Sequence, residues 1–543
     1  MEEMEEMEGD IILFNGRVRT MEAAAPRASA IAVRGGRIRH VGNDTAVRAA
    51  AGGTRGVQSI DLQGRCVLPG LTDSHLHFKW FAESLAAVDV ETATLDEAVA
   101  RVRARAQTAE PGAWITGTGW NHNVWGTGAL PDLEPLDRAA PRNPVALQAK
   151  SGHALWVNSL ALLKAGIRLE TPDPEGGKIA HGKDGTPSGI LLENATHLVH
   201  AVIPKSTRGD LARMMRDAQT AVHRLGLTGV HDFDSSLALQ AFLELESRGE
   251  LALRVVKGIP HEHLPAAIDL GMRTGFGGEL LRLGQVKMFA DGALGPQTAW
   301  MLAPYEGSWA TGIPTLSEEQ LVIDISRANG AGIACAVHAI GDAACHMVLN
   351  AFEKSAHAAP GPGAGGGLRG LRNRIEHVQL LHPDDLGRLA RLGIVASMQP
   401  LHATSDMLIA ERYWGARCAG AYAWKSLLDE GTALAFGSDC PVEIPDPLAG
   451  IHAAVTRRRA DGSPGPGGWR PEQRLSVEQA VGAYTMGAAY AAGREEELGS
   501  IAPGKLADLT VLDRDIFSID PQEIRNTKVS ATMVGGRLVW GAL

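Results

Sequence analysis

The segment Val67–Phe78, with the sequence VLPGLTDSHLHF, decides the fold prediction. An apolar run turns at Pro69-Gly70 and continues to His75 and His77. On a strand, residues two positions apart lie on the same side, so both imidazoles face the same direction. Two imidazoles at a strand end are half of a site for a borderline-soft divalent metal such as zinc. The metal prediction therefore depends on further ligands at the ends of later strands.

Seven further strand-like runs follow the first, and helical patterns separate most of them. Strands that alternate with helices predict an α/β fold with a parallel sheet, and eight such strands fit a (β/α)8 TIM-type barrel. In such a barrel the reactive groups lie at the carboxyl ends of the strands. The eight predicted strands are Gly70–His77, Thr228–Asp234, Ala252–Gly258, Gln285–Asp291, Ile333–His338, Arg374–Gln379, Ile394–Gln399 and Ala433–Asp439.

Both ends of the chain have a β-like texture that the middle lacks. Near the N-terminus, short apolar runs alternate with turns such as Asn15-Gly16, where glycine supplies the positive φ of a hairpin. The same texture returns near the C-terminus around Gly535-Gly536. We predict one small β-sandwich domain built from both termini, with two separate decorations as the alternative.

The predicted domain boundaries follow from these textures. The small β domain would consist of residues 1–66 and 496–543, and the barrel of residues 67–495. The stretch at about 79–206 is too long for a loop, so we predict an inserted subdomain after the first barrel strand.

Composition and charge exclude several classes of protein. The net charge of -10 and the absence of a basic patch argue against a nucleic-acid partner. Five scattered cysteines without a C-x-x-C pair favour reduced thiols in a cytoplasm. The acidic start MEEMEEMEGD does not fit a signal peptide, and no apolar run approaches the ~20 residues of a membrane span. We expect a cytoplasmic protein with a small-molecule substrate, no membrane partner, and a homodimer as the default assembly.

Later strand ends carry polar residues that could complete a metal site. They are Lys287 in QVKMFADG, His338 in IACAVHAIGD, His377 in NRIEHVQL and Asp439 in ALAFGSDCPVE. Each alone has a structural explanation, such as an ion pair for the lysine or a satisfied core histidine. An ionised Asp439 in a nearly uncharged run is costly unless a cation or hydrogen bonds compensate it. Together with the first two histidines, these residues offer nitrogen and oxygen ligands for one or two metals.

Several motifs together resemble the amidohydrolase superfamily, in its YtcJ-like (amidohydrolase-3) branch, which includes N-substituted formamide deformylase. The motifs are PGLTDSHLH, VKMFADGALG, VHAIGDAA, RIEHVQL, FGSDCPV and GSIAPGKLADLTVLD. The resemblance covers nearly the whole chain. It implies that His75, His77 and Asp439 hold one metal, while His338 and His377 hold a second.

The resemblance also implies the chemistry, which is metal-assisted hydrolysis of a C–N bond. Lys287 matches a lysine that is carboxylated and bridges two ions, while an unmodified Lys287 with one ion is the alternative. A bound Zn²⁺ would lower the pKa of its water to about 7 and polarise the substrate carbonyl. Asp439 would take a proton from that water and pass it to the leaving amine. The predicted substrate is a small N-substituted amide; a cyclic amide, carbamate or ester, or an inactive binding or scaffold protein, are the alternatives.

Further residues are candidates for substrate contacts. The segments Gly117–Gly126 and Lys150–Leu162 resemble parts of the family that reach over the barrel mouth, with packing of the insertion as the alternative. The Gly/Pro-rich stretches 358–370 and 461–469 are predicted as mobile surface loops, and the second has a lid as its alternative. The candidates for substrate contact are Trp120, His122, His153, Trp156, Asp291, Gln399 and His402. Asp291 is expected to orient or cap, and Gln399 and His402 have support of the metal ligands as their alternative.

Overall fold

The computed structural model describes residues 10–51, 57–122, 124–125, 130–150, 153–204, 206–358 and 370–543. The acidic leader and residues 359–369 of the first Gly/Pro-rich stretch lie outside these ranges. The chain divides into two compact units. Unit 1 consists of Met1–Trp80 and Met215–Leu543, and unit 2 of Phe81–Met214.

The strands fall into four sheets, and their bounds are as follows. The N-terminal strands are β1 (Ile11–Phe14), β2 (Arg17–Arg19), β3 (Arg27–Ala28), β4 (Ala30–Arg34), β5 (Arg37–Gly42), β6 (Gln58–Asp61), β7 (Cys66–Pro69) and β8 (Leu71–Leu76). Unit 2 contains β9 (Val88–Asp89), β10 (Ile115–Trp120), β11 (Val145–Ala149), β12 (Ala154–Val157), β13 (Gly177–His181) and β14 (Pro187–Glu193). The remaining strands are β15 (Leu227–Asp232), β16 (Arg254–Pro260), β17 (Leu281–Phe289), β18 (Cys335–Ala339), β19 (Arg374–His377), β20 (Val395–Met398), β21 (Leu434–Phe436), β22 (Leu509–Leu512), β23 (Val529–Val534) and β24 (Arg537–Gly541).

Helices connect most of the strands. In chain order they are α1 (Asp44–Ala51), α2 (Phe78–Ala86), α3 (Leu95–Thr108), α4 (Glu134–Ala139), α5 (Ser159–Lys164), α6 (Thr196–His200), α7 (Arg208–Arg224), α8 (Ser236–Ser247), α9 (Leu264–Asp269), α10 (Glu318–Gly330), α11 (Asp342–Ala358), α12 (Arg388–Leu392), α13 (Pro400–Trp414), α14 (Trp424–Asp429), α15 (Pro447–Thr456), α16 (Val477–Tyr484) and α17 (Met486–Ala491). Short 3-10 helices lie at His261–His263, Pro383–Asp385, Gly415–Gly420, Pro471–Gln473 and Pro521–Asn526. No helix in the described ranges combines the length and the hydropathy needed to cross a membrane.

The eight predicted barrel strands form one parallel sheet in unit 1, which confirms the barrel prediction. Their order in space follows the chain, from β8 through β15, β16, β17, β18, β19 and β20 to β21. An isolated parallel bridge between Leu76 and Cys440 joins the first strand to the segment after the last, so the barrel is nearly closed. Every residue of β15 and of β18 is buried, as expected for strands covered by helices on one face and by the barrel interior on the other.

Two smaller sheets in unit 1 are built from the chain ends. One has the order β5-β4-β1-β6, and the other has the order β24-β23-β22-β7-β2-β3. In the second sheet, Val511 of the C-terminal strand β22 pairs antiparallel with Val67 of β7. Buried residues of both termini, including Leu13, Val18 and Met533, belong to one hydrophobic cluster. The terminal strands are thus held together by a shared core.

Unit 2 contains its own mixed sheet, with the order β13-β14-β12-β11-β10-β9. Thr94 precedes helix α3, and its side chain caps the first turn by accepting a hydrogen bond from the Glu97 backbone N–H. Its buried face, including Val99 and Val102, packs into a cluster that contains Trp120 and Trp156. This cluster is one of two hydrophobic clusters in the described part of the unit; the other contains Leu155 and Leu191.

The Gly/Pro-rich loop 461–469 is tied to its surroundings. Arg458 donates a hydrogen bond from Nε to the Gly462 carbonyl, and Arg474 donates from Nη2 to the Pro466 carbonyl, both at 3.0 Å. Trp469 is 5% exposed, and its indole N–H donates to Glu411 Oε1 at 3.0 Å. These contacts describe a surface loop held at several points along its length.

Candidate metal centre

Three of the predicted ligands meet at the carboxyl ends of the first and last barrel strands. His75 lies in β8, His77 follows it, and Asp439 follows β21. Asp439 Oδ1 lies 3.4 Å from His75 Nε2 and 3.4 Å from His77 Nε2. A tetrahedral zinc with bonds of about 2.0 to 2.2 Å has neighbouring ligand atoms about 3.4 Å apart. These three atoms therefore fit one divalent ion.

The opposite ring nitrogen of each histidine faces a buried carboxylate. His75 Nδ1 lies 2.5 Å from Glu376 Oε2, and His77 Nδ1 lies 3.5 Å from Asp234 Oδ1. A carboxylate that accepts a hydrogen bond from Nδ1–H fixes the tautomer in which Nε2 carries a lone pair. Both imidazoles are thus oriented as metal ligands by residues behind them.

A buried cation pairs with Glu376, and another lies near Asp234 and pairs with the adjacent carboxylate of Asp232. Arg374 Nε lies 2.5 Å from Glu376 Oε1, and both side chains are 0% exposed. Lys257 Nζ donates hydrogen bonds to the backbone carbonyls of Asp234 and Gly258, and it lies 3.1 Å from Asp232 Oδ2. Burying a carboxylate is costly unless it is paired and hydrogen-bonded. The interior of the barrel supplies that compensation directly behind the two histidines.

A second group of ligand atoms consists of His377, His402 and Asp439. His402 Nε2 lies 3.9 Å from Asp439 Oδ2, the carboxylate oxygen that does not face the first two histidines. The His377 and His402 rings are stacked, with their centroids 6.2 Å apart and their planes 11° from parallel. His402 was expected from the sequence as a substrate or supporting residue, and the fold directs its side chain at Asp439.

His338 and Lys287 lie close to this second group. His338 Nε2 is 2.9 Å from the Gly292 carbonyl and 3.4 Å from Asp291 Oδ1, while its ring centroid is 4.6 Å from that of His377. The Gly292 carbonyl thus leaves Nδ1 of His338 as the nitrogen available to a ligand. Lys287 Nζ lies 5.0 Å from the ring centroids of both Phe233 and Phe289, a cation–π geometry.

Burial and neighbouring charges set the protonation of the centre. Burial lowers the pKa of His75 to about 4, and the charge of Lys287 acts in the same direction. Burial would raise the pKa of the Asp439 carboxyl, but His77, followed by His75, outweighs it and holds that pKa well below its usual value. A neutral imidazole and an ionised carboxylate are the forms that bind a metal.

Burial also lowers the pKa of Lys287 to about 8, although Glu376 and Asp439 partly offset the effect. For His77, burial alone would lower the pKa, but the hydrogen bonds with Asp234 and Asp439 outweigh it and raise the pKa to about 9. In the metal-free centre His77 is therefore protonated at neutral pH, and a metal ion must displace that proton.

The remaining predicted site residues of unit 1 are buried and hold other groups in place. The Asp291 carboxylate accepts hydrogen bonds from the backbone N–H groups of Trp300, Ile340 and Gly341 at 2.8 to 3.0 Å. Gln399 Oε1 lies 2.9 Å from His377 Nδ1 and accepts a hydrogen bond from its N–H. Asp291 thus ties two loops together, and Gln399 orients a metal ligand.

The predicted site residues of unit 2 divide into two classes. Trp120 and Trp156 are 1% and 0% exposed, and their indole N–H groups donate to the backbone carbonyls of Leu147 and Asp132. Their burial gives these two residues the packing role that the sequence left open. His122 is partly exposed beside Trp120, and His153 is exposed, with Nδ1 2.9 Å from Glu193 Oε2.

The sequence reasoning missed the residues behind the ligands, above all Glu376, Asp234 and Arg374. A signal was present, because each is a charged residue within a predicted barrel strand. A charge in such a strand needs a partner inside the barrel. The partner itself could not be predicted, since Glu376 pairs with a histidine 301 residues away in the chain.

The chain is similar to known proteins over nearly its whole length. The Amidohydrolase family matches residues 58–540. YtcJ of Bacillus subtilis is 32% identical, covering 97% of this chain and 99% of its own length. N-substituted formamide deformylase of Arthrobacter pascens is 30% identical over 97% of this chain and 98% of its own length. The structure is similar to that of an uncharacterized metal-dependent hydrolase from Pyrococcus furiosus, with a TM-score of 0.76 and 30% identity, covering 94% of this chain and all of the other.

Proposed function

The chain belongs to the amidohydrolase family, and on that premise we propose that it is a metal-dependent hydrolase that cleaves the C–N bond of a small N-substituted amide. The observation that carries the proposal is the convergence of His75 and His77 on one oxygen of Asp439, each with a carboxylate behind it. Nitrogen and oxygen donors at this spacing suit Zn²⁺, which we propose as the metal.

The first ion would be held by His75, His77 and Asp439. A divalent metal in this position supplies a Lewis acid for a substrate carbonyl and an activated water at neutral pH. The chain itself contributes the orientation of the ligands, because Glu376 and Asp234 fix the two imidazoles. A site that is already oriented loses little free energy to reorganisation during the reaction.

Asp439 is the proposed general base and general acid. Its carboxyl is kept ionised by His77 and His75, so it can accept a proton from the attacking water. It would then pass that proton to the amine nitrogen as the C–N bond breaks. The same carboxylate thus serves both halves of the reaction, in which the amide gives a carboxylic acid and an amine.

For the second ion, we propose His338 and His377 as ligands and a carboxylated Lys287 as the bridge, with one ion and an unmodified lysine as the alternative. A lysine must lose its proton before its amine can attack carbon dioxide, and burial lowers the pKa of Lys287 to about 8. Its position between two aromatic rings, without an ion pair to any residue that the structure describes, leaves the amine open to that reaction.

The substrate class rests on similarity. N-substituted formamide deformylase is a relative over nearly the whole chain, so we propose an N-substituted amide acted on at a bond other than a peptide bond. Cyclic amides, carbamates and esters are the second candidates, because the same centre can polarise their carbonyls. We propose His122 and His153 as substrate contacts.

A panel of substrates tests this function. The full chain would be stripped with a chelator, reconstituted with zinc, and assayed on N-substituted formamides, cyclic amides, carbamates and esters. We expect zinc-dependent release of an amine from at least one N-substituted amide. Failure of zinc to restore turnover on every substrate class would contradict the hydrolase proposal and favour a binding or scaffold protein.

We also propose the domain organisation, the cellular location and the oligomeric state. The shared core of the terminal sheets supports one small β domain from residues 1–66 and 496–543, with the barrel at 67–495. The insertion of about 79–206 corresponds closely to unit 2. The cytoplasmic location and the homodimer stay predictions.

A further inference from the structure

Asp439 presents its two oxygens to two different pairs of histidines. Oδ1 lies 3.4 Å from Nε2 of both His75 and His77, and Oδ2 lies 3.9 Å from Nε2 of His402. Each pair together with Asp439 forms a group whose ligand atoms lie within 4.8 Å of one another. The carboxylate therefore lies between two potential ion positions.

The His402 imidazole has a nitrogen that no described residue satisfies. Nε2 is buried and lacks a hydrogen-bond partner within the described part of the chain, and the 3.9 Å to Asp439 is too long for a hydrogen bond. A buried polar atom without a partner destabilises the folded state, because it has lost its hydrogen bonds to water. A cation between His402 Nε2 and Asp439 Oδ2 would provide the missing partner for both atoms.

The second pair of histidines is held by glutamines. His377 Nδ1 faces Gln399 Oε1 at 2.9 Å, and His402 Nδ1 lies 3.3 Å from Nε2 of the Gln379 amide, which a half-turn of that amide exchanges with its oxygen. Gln379 can present its amide oxygen to Nδ1, and Oε1 has no other partner among the described residues. In that orientation both imidazoles carry the proton on Nδ1 and the lone pair on Nε2, the form that binds a metal.

From this geometry we propose that His377, His402 and Asp439 form a second metal position. It is an alternative to the position held by His338, His377 and a carboxylated Lys287, and it does not require the modified lysine. The inference rests on the proposed function, since it concerns the same centre, but it assigns His402 as a metal ligand. Imidazole and carboxylate donors without a thiolate favour zinc or a similar divalent ion.

The two positions differ in the groups behind their ligands. Carboxylates stand behind His75 and His77, whereas neutral amides stand behind His377 and His402. A carboxylate makes an imidazole more basic and a better ligand than an amide does. The first ion therefore binds before the second as zinc is added.

Zinc stoichiometry in the absence of substrate tests the assignment. The full chain, stripped with a chelator, would be dialysed against buffered zinc, and zinc per chain measured for three variants. They are Lys287→Ala, Lys287→Ala with His402→Phe, and Lys287→Ala with His263→Phe, where His263 is an exposed histidine outside the centre. We expect about two ions in the first and third variants and about one in the second.

Phenylalanine preserves the stacking on His377, and the Tm of the metal-free variants checks that the fold is intact. If the phenylalanine variant unfolds, His402→Gln replaces it in the same comparison. The proposal is overturned if Lys287→Ala binds only one ion, or if loss of the His402 imidazole leaves both ions bound. Because no substrate is present, these results are independent of whether the wild-type chain hydrolyses an amide.

Discussion

In the barrel of unit 1, histidines at the carboxyl ends of the strands surround one carboxylate, whereas in unit 2 Trp120 and Trp156 point into a hydrophobic core. Asp439 has imidazole nitrogens within 3.4 to 3.9 Å on both sides. Trp120 and Trp156 are almost fully buried, and each satisfies its N–H on a backbone carbonyl. Polar side chains in the barrel converge on a common point, and aromatic side chains in unit 2 fill a core.

The difference follows from topology. Parallel strands of a barrel all end at the same rim, so that polar residues at those ends are brought together whatever their separation in the chain. No such rule applies to the mixed sheet of unit 2, where a tryptophan contributes mainly buried area. A residue type therefore indicates function only when its place in the fold is known.

Substitution of Asp439 should have the largest effect. Asp439→Asn removes a metal ligand together with the proposed proton acceptor, and general acid–base catalysis alone contributes about 10²- to 10⁴-fold. We expect kcat/KM for the best amide substrate to fall by at least about 10³-fold. Asp461→Asn, in an exposed loop, is the matched control and should retain full activity. Activity of Asp439→Asn within tenfold of wild type would contradict the assignment.

Truncation of a tryptophan in unit 2 should instead affect stability. Trp156→Ala leaves a cavity in the core and should lower the free energy of unfolding by about 3 to 5 kcal/mol in denaturant titrations. The zinc content of the folded protein should not change, because all proposed ligands belong to unit 1. Trp309→Ala, at a position 96% exposed, should change stability by less than about 0.5 kcal/mol. If Trp156→Ala lost zinc while keeping its stability, the purely structural role of Trp156 would be contradicted.

The residues behind the ligands provide a finer test. Asp234→Asn removes the carboxylate that faces His77 Nδ1, and loss of such a partner typically lowers metal affinity 10- to 100-fold. We expect that decrease for zinc in competition with a chelator of known affinity. Asp324 also pairs with a histidine, since its Oδ2 lies 2.9 Å from His261 Nε2, but it is outside the centre. Asp324→Asn should therefore bind zinc like wild type, and equal losses in both variants would refute the orienting role of Asp234.

One histidine of unit 1 should behave like a core residue. His223 is buried, its Nδ1 lies 2.9 Å from the Leu227 carbonyl, and burial lowers its pKa to about 4. The unfolded chain, with an ordinary pKa near 6.5, then takes up a proton that the folded chain rejects. The free energy of unfolding therefore keeps the full contribution of neutral His223 above pH 6.5. It falls by about 3 kcal/mol as the pH falls toward 4.

Urea titrations of the metal-free protein between pH 7 and pH 4.5 would measure this loss. His223→Gln cannot take up the proton, so its stability should fall less steeply over the same range, while zinc binding at pH 7 stays unchanged. Parallel pH profiles for the two proteins would show that His223 does not titrate in this way.

The fold could be predicted because short strand-like runs alternate with helical patterns along the middle of the chain. The strand ends were less exact: the last strand ends at Phe436 rather than Asp439. His377 and Asp439 have φ values of +75° and +60°, so the chain leaves the extended conformation where the ligands lie. A local pattern of hydrophobic residues cannot reveal such a change of backbone.

The site could be predicted only in part. The ligands at strand ends are visible in the sequence, whereas His402 lies in the first turn of α13, and its direction depends on a contact with Gln379 from the neighbouring strand end. The carboxylates behind His75 and His77 come from other strands, so that only the closed barrel brings them into contact.

We propose that the strand-end imidazoles and Asp439 hold a metal and that hydrolysis requires this metal. The most direct measurement is zinc bound per chain and the initial rate of amine release, recorded together as zinc is added to the stripped protein. We expect the rate of the wild-type protein to rise with bound zinc, and we expect His77→Phe to lose both the first ion and the activity. A rate that is independent of zinc, or a His77→Phe variant that binds zinc and hydrolyses amides like wild type, would contradict this proposal.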